Sequence, residues 1–305
     1  MASNRVAAGA GVGDVDLQGK TVLVTGSTGG IGRETALALG SLGARVLVHG
    51  RDREAGAAVV EALHEAGAEA EFIRADFASL PDVRDLAEDV KTTTGRLDVL
   101  VNNAGGYFRE PRLTEAGVEY TFAVNHLAPF LLTNLLIPTL RAAPAGRVVT
   151  VSSEAHRSGT LDLDAVESVE RYAPFSAYAR SKLANVMFTF ELARRLDAVT
   201  ANCLHPGVIP ASGFMRNLPL PIRAPAQFVG SVLTSVPFSP VSSVREGAET
   251  PVYLAASPEV ADVTGRYFDD CQPRRAAAAA RDEGAQRRLW EYSAEVTGLQ
   301  DIEEV

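Results

Sequence analysis

Several features are scarce in this chain of 305 residues, and each scarcity argues against a class of protein. It has two cysteines, Cys203 and Cys271, with no Cys-x-x-Cys or His–Cys spacing, so we expect neither a disulfide framework nor a metal site. The 29 basic residues are outnumbered by 38 acidic ones, and the net charge of -9 leaves no basic footprint for nucleic acid. No apolar run is long enough to cross a bilayer. We therefore expect a reduced, cytoplasmic protein with no membrane span.

Little in the sequence divides the chain into domains. At about 150 residues per domain the length suggests two domains, but single α/β domains often reach this size. Residues 1–14 are rich in glycine and alanine and lack the basic start and apolar stretch of a secretory signal, so we expect a disordered leader. Residues 15–305 are predicted to form one domain without internal repeats.

The chain does contain a regular alternation of strand and helix patterns. A β-branched run at 21–25 leads into a Gly-rich turn and then into helical periodicity at 33–43. Further strands are predicted at 45–49, 71–74, 99–101, 147–151, 200–204 and 265–268, and further helices at 54–66, 81–93, 115–141, 245–256, 282–296 and around Tyr178. Repeated β–α units predict a doubly wound, mostly parallel sheet between two helix layers, a Rossmann-like α/β/α fold.

The first strand-to-helix junction has the sequence Thr-Gly-Ser-Thr-Gly-Gly-Ile-Gly at 25–32. Backbone amides and the positive end of a helix can hold a pyrophosphate at such a junction, and glycines let the backbone approach it closely. A tight turn without a ligand is the alternative. The position after the first strand of a β–α–β unit favours nucleotide binding.

The end of the second strand indicates which dinucleotide would bind. Many dinucleotide-binding folds place an acidic residue there for the ribose hydroxyls, whereas this chain reads His-Gly-Arg-Asp at 49–52. Gly50 stands where the acid is expected, and Arg51 can bind a 2′-phosphate through paired hydrogen bonds. This favours NADP(H) over NAD(H). Alternatively, Arg51 is a surface arginine paired with Asp52.

Tyr178 and Lys182 are the candidate catalytic pair, because a spacing of four residues places them on one face of a helix. A phenol with a pKa of about 10 is a poor acid–base catalyst at neutral pH unless a nearby cation favours the phenolate. Lys182 could be that cation. The spacing alone is weak, since such pairs usually combine a packing aromatic with a solvated charge.

Taken together, the motifs resemble those of the single-domain short-chain dehydrogenases/reductases. They are the Gly-rich turn, Asp76, Asn-Asn-Ala-Gly at 102–105, Asn125 in Val-Asn-His-Leu, Ser153, the Tyr178/Lys182 pair and Pro-Gly at 206–207. They cover nearly the whole chain after the leader. Gly-Arg-Glu-Thr at 32–35, Val-Ser-Ser-Glu-Ala-His at 151–156, Ser-Lys-Leu-Ala-Asn at 181–185 and Leu-His-Pro-Gly at 204–207 are most similar to the retinol-dehydrogenase-like branch.

The resemblance implies a catalytic role for four residues. Tyr178 would exchange a proton with the substrate oxygen, and Ser153 would hydrogen-bond the same oxygen. Lys182 would lower the pKa of the tyrosine and bind the nicotinamide ribose. Asn125 would hold a water that connects Lys182 to solvent. The resemblance also implies a homodimer or homotetramer.

The resemblance further implies a set of contacts to NADP(H). The Gly-rich turn would hold the pyrophosphate, Asp76 the adenine, residues 103–105 the adenosine ribose and residues 206–208 the nicotinamide. The set is Gly26, Ser27, Thr28, Gly30, Ile31, Gly32, Arg51, Asp76, Phe77, Asn103, Ala104, Gly105, Tyr178, Lys182, Pro206, Gly207 and Val208. One departure follows Pro-Gly, where the family commonly has Thr or Ser and this chain reads Val-Ile-Pro-Ala-Ser-Gly at 208–213, so that Ser212 would serve after a one-residue shift.

The segment at about 208–243 is apolar and rich in proline. One interpretation is a cap that closes over the nicotinamide and forms an apolar pocket for a bulky, lipophilic carbonyl compound. The other is that it covers the sheet edge or a subunit interface.

The sequence therefore predicts an NADP(H)-dependent oxidoreductase that transfers a hydride between the nicotinamide and a carbonyl or alcohol of a hydrophobic small molecule. Reduction of a C=C bond, or epimerisation through a transient ketone, would use the same fold and cofactor. A non-catalytic NADP(H)-binding sensor is the third hypothesis.

Overall fold

The computed structural model of the protein describes residues 3–209 and 242–299. Within them, eight strands form one sheet in the order β3-β2-β1-β4-β5-β6-β7-β8. The strands are Thr21–Val24 (β1), Arg45–Gly50 (β2), Ala70–Arg74 (β3), Val99–Asn102 (β4), Gly146–Val151 (β5), Val199–His205 (β6), Tyr267–Asp269 (β7) and Gln272–Arg274 (β8). The first seven run parallel, and β8 is antiparallel to β7. The predicted doubly wound, mostly parallel sheet is confirmed.

Eight helices flank the sheet in the described part of the chain. They are Ser3–Gly9 (α1), Gly30–Ser41 (α2), Arg53–Glu65 (α3), Leu80–Thr93 (α4), Tyr120–Arg141 (α5), Pro174–Arg195 (α6), Val244–Ala256 (α7) and Glu283–Thr297 (α8). Polar side chains begin several of them by accepting backbone N–H groups of the first turn: Asp52 for α3, Ser79 for α4 and Ser243 for α7.

The core lies on both faces of the sheet because alternate strand residues point to opposite sides. Val22 and Val24 of β1 pack with α1, α2, α3 and α7, whereas Leu23 between them packs with α4, α5 and α6. All three side chains have no exposed area. This alternation produces the three layers and leaves the carboxyl edge of the sheet for the residues that follow each strand.

The disordered leader predicted for residues 1–14 is wrong for the residues that the structure describes from Ser3 onward. They form α1 and a following turn that contact α2 and α7. Val6, Ala7 and Val12 are at most 1% exposed and belong to the core. The small apolar side chains of this segment gain from burial in a groove that exists only once the domain has folded.

The expectation of no membrane span stays a prediction, although one helix is long and apolar enough to cross a membrane by the criterion of length and composition. The 22 residues of α5 meet that criterion. However, 89% of the apolar window of this helix is buried inside the protein, as in the core helix of a globular fold.

Other differences concern the ends of elements. The helix predicted from residue 115 begins at Tyr120, because the Thr114 and Val118 backbones pair across a turn in which Gly117 has a φ of +77°. The strand β8 was not predicted, since it contains Pro273 and is exposed along its length. Proline is tolerated in such an edge strand because its missing N–H is not needed by a neighbour.

Candidate active site

The residues predicted to bind cofactor or substrate follow the carboxyl ends of the parallel strands and so lie along one edge of the sheet. The Gly-rich turn follows β1, Arg51 follows β2, Asp76 follows β3, Asn103 follows β4, Ser153 follows β5 and Pro206 follows β6. The strand order reverses at β1, which lies between β2 and β4. Open α/β sheets bind ligands at this switch point.

The Gly-rich turn has the shape that a pyrophosphate requires. Gly26 has a φ of +64°, and a Cβ there would lie 2.8 Å from the Cα of Ala104. No atom lies within 4 Å of the place where a Cβ would stand on Gly29 or Gly30. Gly29 is the N-cap of α2, and no side chain accepts the first amides of that helix. The open space beside the first amides of α2 fits an anionic phosphate.

Thr25 and Asn103 fix this turn to the end of β4. The hydroxyl of Thr25 donates to the Val101 carbonyl (3.2 Å) and accepts the amides of Asn103 and Ala104, both at 3.0 Å. The carboxamide of Asn103 donates to the carbonyls of Thr25 (2.8 Å) and Gly26 (3.2 Å). The Asn103 side-chain nitrogen is therefore engaged in holding the turn.

Two predicted cofactor contacts have side chains that face the protein interior. Ser27 is fully buried, and its hydroxyl donates to the Val24 carbonyl (2.7 Å) and accepts the amide of His49 (3.0 Å). Phe77 is 4% exposed and its ring stacks on that of His49, with centroids 4.6 Å apart. For these two residues, sequence position relative to the strand did not reveal on which side the side chain lies.

Arg51 pairs with Asp76, whereas the surface alternative paired it with Asp52. Asp52 accepts the amides of Glu54 and Ala55 as the N-cap of α3. Arg51 instead lies 3.7 Å from a carboxylate oxygen of Asp76, with its side chain 59% exposed. Its guanidinium also donates to the Tyr120 hydroxyl at 3.4 Å, and it lies at the carboxyl edge of the sheet, where it can reach an anionic group.

Lys182 and Asn125 meet behind the turn that follows β4. Lys182 is 5% exposed, and its ammonium donates to the Val151 carbonyl at 3.0 Å. Burial lowers the pKa of Lys182 to about 8. Asn125 accepts the amide of Gly106 (2.8 Å) and donates to the Gly106 carbonyl (2.9 Å) and the Ser181 hydroxyl (3.0 Å).

The position of Asn125 depends on a local widening of α5. Residues Ala123–Leu127 form a π-helical turn within the helix. A Cβ on Gly105 would lie 2.9 Å from the Asn125 side-chain oxygen and 3.6 Å from the Lys182 ammonium, so both groups border the same backbone. π-turns are rare and occur often at functional sites. No sequence pattern predicted this turn.

Tyr178 and Ser153 face each other across the end of β5. The Tyr178 phenol hydrogen-bonds the Ser153 side chain, whose hydroxyl also accepts the amide of Ala155 at 3.2 Å. Burial raises the pKa of Tyr178 above its usual value, and the hydrogen bond to Ser153 opposes that rise. The expected lowering of the pKa by Lys182 is not seen, because the ammonium lies 5.8 Å from the ring centroid and is held by Val151.

An aromatic side chain contacts this pair, and exposed apolar side chains lie on nearby segments of the chain. Tyr107 meets Tyr178 edge to face, with centroids 5.8 Å apart. Among the described residues the large hydrophobic side chains that remain exposed are Leu113, Phe175 and Val208, at 43%, 51% and 57%. Phe175 precedes Tyr178 by one helical turn, and Val208 follows Pro-Gly at the end of β6. Most of the predicted cap segment, residues 210–241, lies outside the described residues.

The remaining histidines near the site have structural contacts. His126 contacts the Ser293 hydroxyl at 2.9 Å, and His156 contacts the Ser153 carbonyl at 2.7 Å. His205 accepts the amide of Glu154 at 3.2 Å. Within residues 3–209 and 242–299 no group of three or more His, Cys, Asp or Glu side chains is placed to hold a metal ion.

Comparison with known proteins finds relatives over most of the chain. The family model described as short chain dehydrogenase matches residues 20–219. Retinol dehydrogenase 14 of Mus musculus is 40% identical over 304 residues, covering 95% of this chain and 89% of that protein. Polyprenol dehydrogenase of Mus musculus is 42% identical over 291 residues, covering 92% and 84%.

A solved structure of a landomycin C-6 ketoreductase with bound NADP and rabelomycin superposes with a TM-score of 0.65. It is 28% identical to this chain, and the match covers 84% of this chain and 96% of that one. The Gly-rich turn, Asn125, Ser153, Tyr178 and Lys182 all lie within the matched family range.

Proposed function

The chain belongs to the short-chain dehydrogenase/reductase family, on its retinol-dehydrogenase-like branch, and from this we propose that it reduces a carbonyl group of a hydrophobic small molecule with NADPH. The same residues would catalyse the reverse oxidation of the alcohol. As an oxidoreductase of this family it uses a nicotinamide cofactor; the choice of NADP(H), the substrate and the favoured direction are the proposal.

One observation carries the proposal more than any other. The Tyr178 phenol, hydrogen-bonded to Ser153, lies at the same sheet edge as the Gly-rich turn. A carbonyl oxygen placed between the two hydroxyls would accept a hydrogen bond from each. Two donors aimed at the same oxygen stabilise the negative charge that develops on it during reduction.

The roles of the side chains follow from their surroundings. The chemistry that NADPH supplies when bound is a hydride for the carbonyl carbon. Tyr178 gives its proton to the substrate oxygen, while Ser153 keeps that oxygen in place. Burial raises the Tyr178 pKa, so the phenol carries its proton at neutral pH and can supply it to the substrate oxygen in the reduction.

Lys182 and Asn125 support the tyrosine from behind. With a pKa of about 8, Lys182 is mostly protonated at neutral pH. Held by the Val151 carbonyl 5.8 Å from the Tyr178 ring centroid, its ammonium would bind the nicotinamide ribose of the cofactor. Asn125 fixes the Gly106 backbone beside Lys182 through two hydrogen bonds, and so keeps the wall of the site in register with the ammonium.

Arg51 supports NADP(H) as the cofactor. Its exposed guanidinium at the end of β2 can bind the 2′-phosphate that distinguishes NADP(H) from NAD(H). The landomycin ketoreductase structure contains NADP, which agrees with this choice.

The rim of the site supports a hydrophobic substrate. Tyr107 beside Tyr178, together with exposed Phe175 and Val208, gives a bulky apolar molecule surface to contact. The relatives are named for retinol and polyprenol, and the ketoreductase structure holds rabelomycin.

The proposal is tested by following NADPH oxidation with a panel of hydrophobic ketones and aldehydes. We expect steady turnover with at least one compound, at a rate that exceeds the rate with NADH. The matched control is Tyr178→Phe, which removes one hydroxyl and should abolish turnover. If wild type binds NADPH but consumes it with no member of a broad panel, the proposed reaction is wrong.

A further inference from the structure

We propose that His49 is a positioning residue for the cofactor, because its neutral imidazole holds the first glycine of the Gly-rich turn in the conformation that receives the pyrophosphate. This inference rests on the proposed use of a nicotinamide cofactor. His49 lies on β2, two residues before Arg51.

The central contact joins His49 to Gly26. The backbone amide of Gly26 donates to Nδ1 of His49 at 3.2 Å. Gly26 is the residue with a φ of +64° that lets the chain turn directly after β1. Its N–H therefore points inward to the imidazole, and the amides at the start of α2 remain for a ligand.

The backbone of His49 adds a second attachment to the next residue of the turn. The Ser27 amide donates to the His49 carbonyl (2.9 Å), and the His49 amide donates to the Ser27 hydroxyl (3.0 Å). Side chain and backbone of one residue thus hold two successive residues of the turn. The turn cannot move away from β2 without losing all three hydrogen bonds.

The imidazole is suited to this contact because it is neutral. Nδ1 can accept the Gly26 N–H only if it carries no proton, so the ring proton must be on Nε2. His49 is 2% exposed, and its ring stacks on Phe77. Burial lowers the pKa of His49 to about 4, although the Ala75 backbone and the Asp76 carboxylate favour the protonated ring.

A purely structural role explains this residue less well. Nε2 is buried, and within residues 3–209 and 242–299 its interaction with the Ala75 backbone falls short of a hydrogen bond of normal geometry. A buried polar atom with so poor a partner is unfavourable, and an apolar residue would fill the same space beside Phe77 without that cost. The compensating contact is the one to Gly26, which lies in the predicted phosphate site.

The position also links the two phosphate-binding parts of the proposed site. Gly50 follows His49, and a Cβ there would lie 2.5 Å from the Thr28 side chain, so the end of β2 touches the turn directly. Arg51 comes next. Loss of the His49 contact should therefore weaken binding of the pyrophosphate, which NADPH and NADH share, whereas loss of Arg51 should weaken only NADPH.

The test compares the dissociation constants of NADPH and NADH, measured by fluorescence titration, for the full chain and four variants. His49→Leu keeps the bulk but has no acceptor. His49→Asn places its side-chain oxygen near the position of Nδ1, whereas His49→Gln places it near that of Nε2. His64→Leu is the matched control, because His64 is an exposed histidine on α3.

We expect His49→Leu and His49→Gln to bind both cofactors about tenfold more weakly, the effect of one lost hydrogen bond to the turn. His49→Asn and His64→Leu should bind within about threefold of wild type. If His49→Leu does not fold, the cofactor affinities of His49→Asn and His49→Gln still test the inference, because only His49→Asn keeps an acceptor near the position of Nδ1.

Equal affinities for the Asn and Gln variants, or wild-type affinity in a folded Leu variant, would overturn the inference. That result would leave the proposed function untouched as long as wild type binds NADPH. Failure of wild type to bind either cofactor would contradict both.

Discussion

Arg51→Ala provides a quantitative test of cofactor choice. A hydrogen bond to a charged group contributes about 1.5–3 kcal/mol when it is shielded from water. The Arg51 side chain is 59% exposed and already lies 3.7 Å from Asp76, so solvent screening and competition place the effect at the lower end of that range. A loss of about 1.5 kcal/mol corresponds to roughly tenfold weaker NADPH binding. NADH has no 2′-phosphate and should bind as in wild type.

Isothermal titration with both cofactors measures this difference directly. Arg45→Ala is the matched control, because Arg45 begins the same strand at the opposite edge of the sheet and should leave both affinities unchanged. In wild type, the difference in affinity between NADPH and NADH should shrink with added salt, because the contact of Arg51 with the 2′-phosphate is electrostatic and partly exposed. Equal weakening of the two cofactors by Arg51→Ala would show that Arg51 does not recognise the 2′-phosphate.

Three further predictions concern Tyr178, Lys182 and the buried histidines. Tyr178→Phe should lower turnover by about 10²-fold or more while cofactor affinity and unfolding temperature stay near wild type, as steady-state kinetics and thermal unfolding would show; activity within a few fold would remove Tyr178 from the mechanism. NADPH affinity, titrated from pH 7 to 9.5, should fall above about pH 8 as Lys182 loses its charge, and Lys182→Ala should bind NADPH more weakly than Tyr178→Phe does; a flat profile in wild type would contradict the role of the ammonium. Burial lowers the pKa values of His49 and His126 to about 4 and about 3, so these histidines take up protons at a higher pH in the unfolded chain than in the folded protein. Their contribution to the free energy of unfolding is therefore fully present above about pH 6.5 and should be lost as the pH falls toward those values. His49→Asn should reduce the loss between pH 7 and 5, measured by denaturant unfolding, by about 2 kcal/mol, and an unchanged loss would refute the buried, neutral state of His49.

The sheet could be predicted from the sequence because its strands carry strong local signals. β-branched runs such as Arg45–Gly50, separated by helical periodicity, allow few arrangements other than a parallel sheet with helices on both faces. The edge strand Gln272–Arg274 could not be predicted in the same way. It has no buried face, and it exists only because β7 offers it an open edge.

The α1 segment was misjudged for a related reason. Whether Val6 and Val12 are buried depends on the groove formed by α2 and α7, which lie far away in sequence. Likewise, the burial of α5 is decided by its neighbours on the sheet and not by its own composition.

The positions of the candidate site residues were predictable, but the directions of their side chains were not. Strand ends locate Ser27, Phe77 and Arg51 at the correct edge of the sheet. That Ser27 and Phe77 face inward, and that Arg51 lies near Asp76, depends on packing between separate strands. The importance of His49 was hidden for the same reason, since its partner Gly26 lies 23 residues away. The predictions of a cytoplasmic location and of a homodimer or homotetramer stay predictions.

The most direct test of the central claim follows the hydride itself. Wild-type protein is incubated with NADPH that carries deuterium at the transferable position of the nicotinamide, and with a ketone accepted in the substrate panel. Carbonyl reduction by this protein should place one deuterium on the carbinol carbon of the product, whereas Tyr178→Phe should form no deuterated product under the same conditions. Deuterium on the carbon of a former C=C bond, or a product with inverted configuration and no net consumption of NADPH, would contradict carbonyl reduction as the function of this protein.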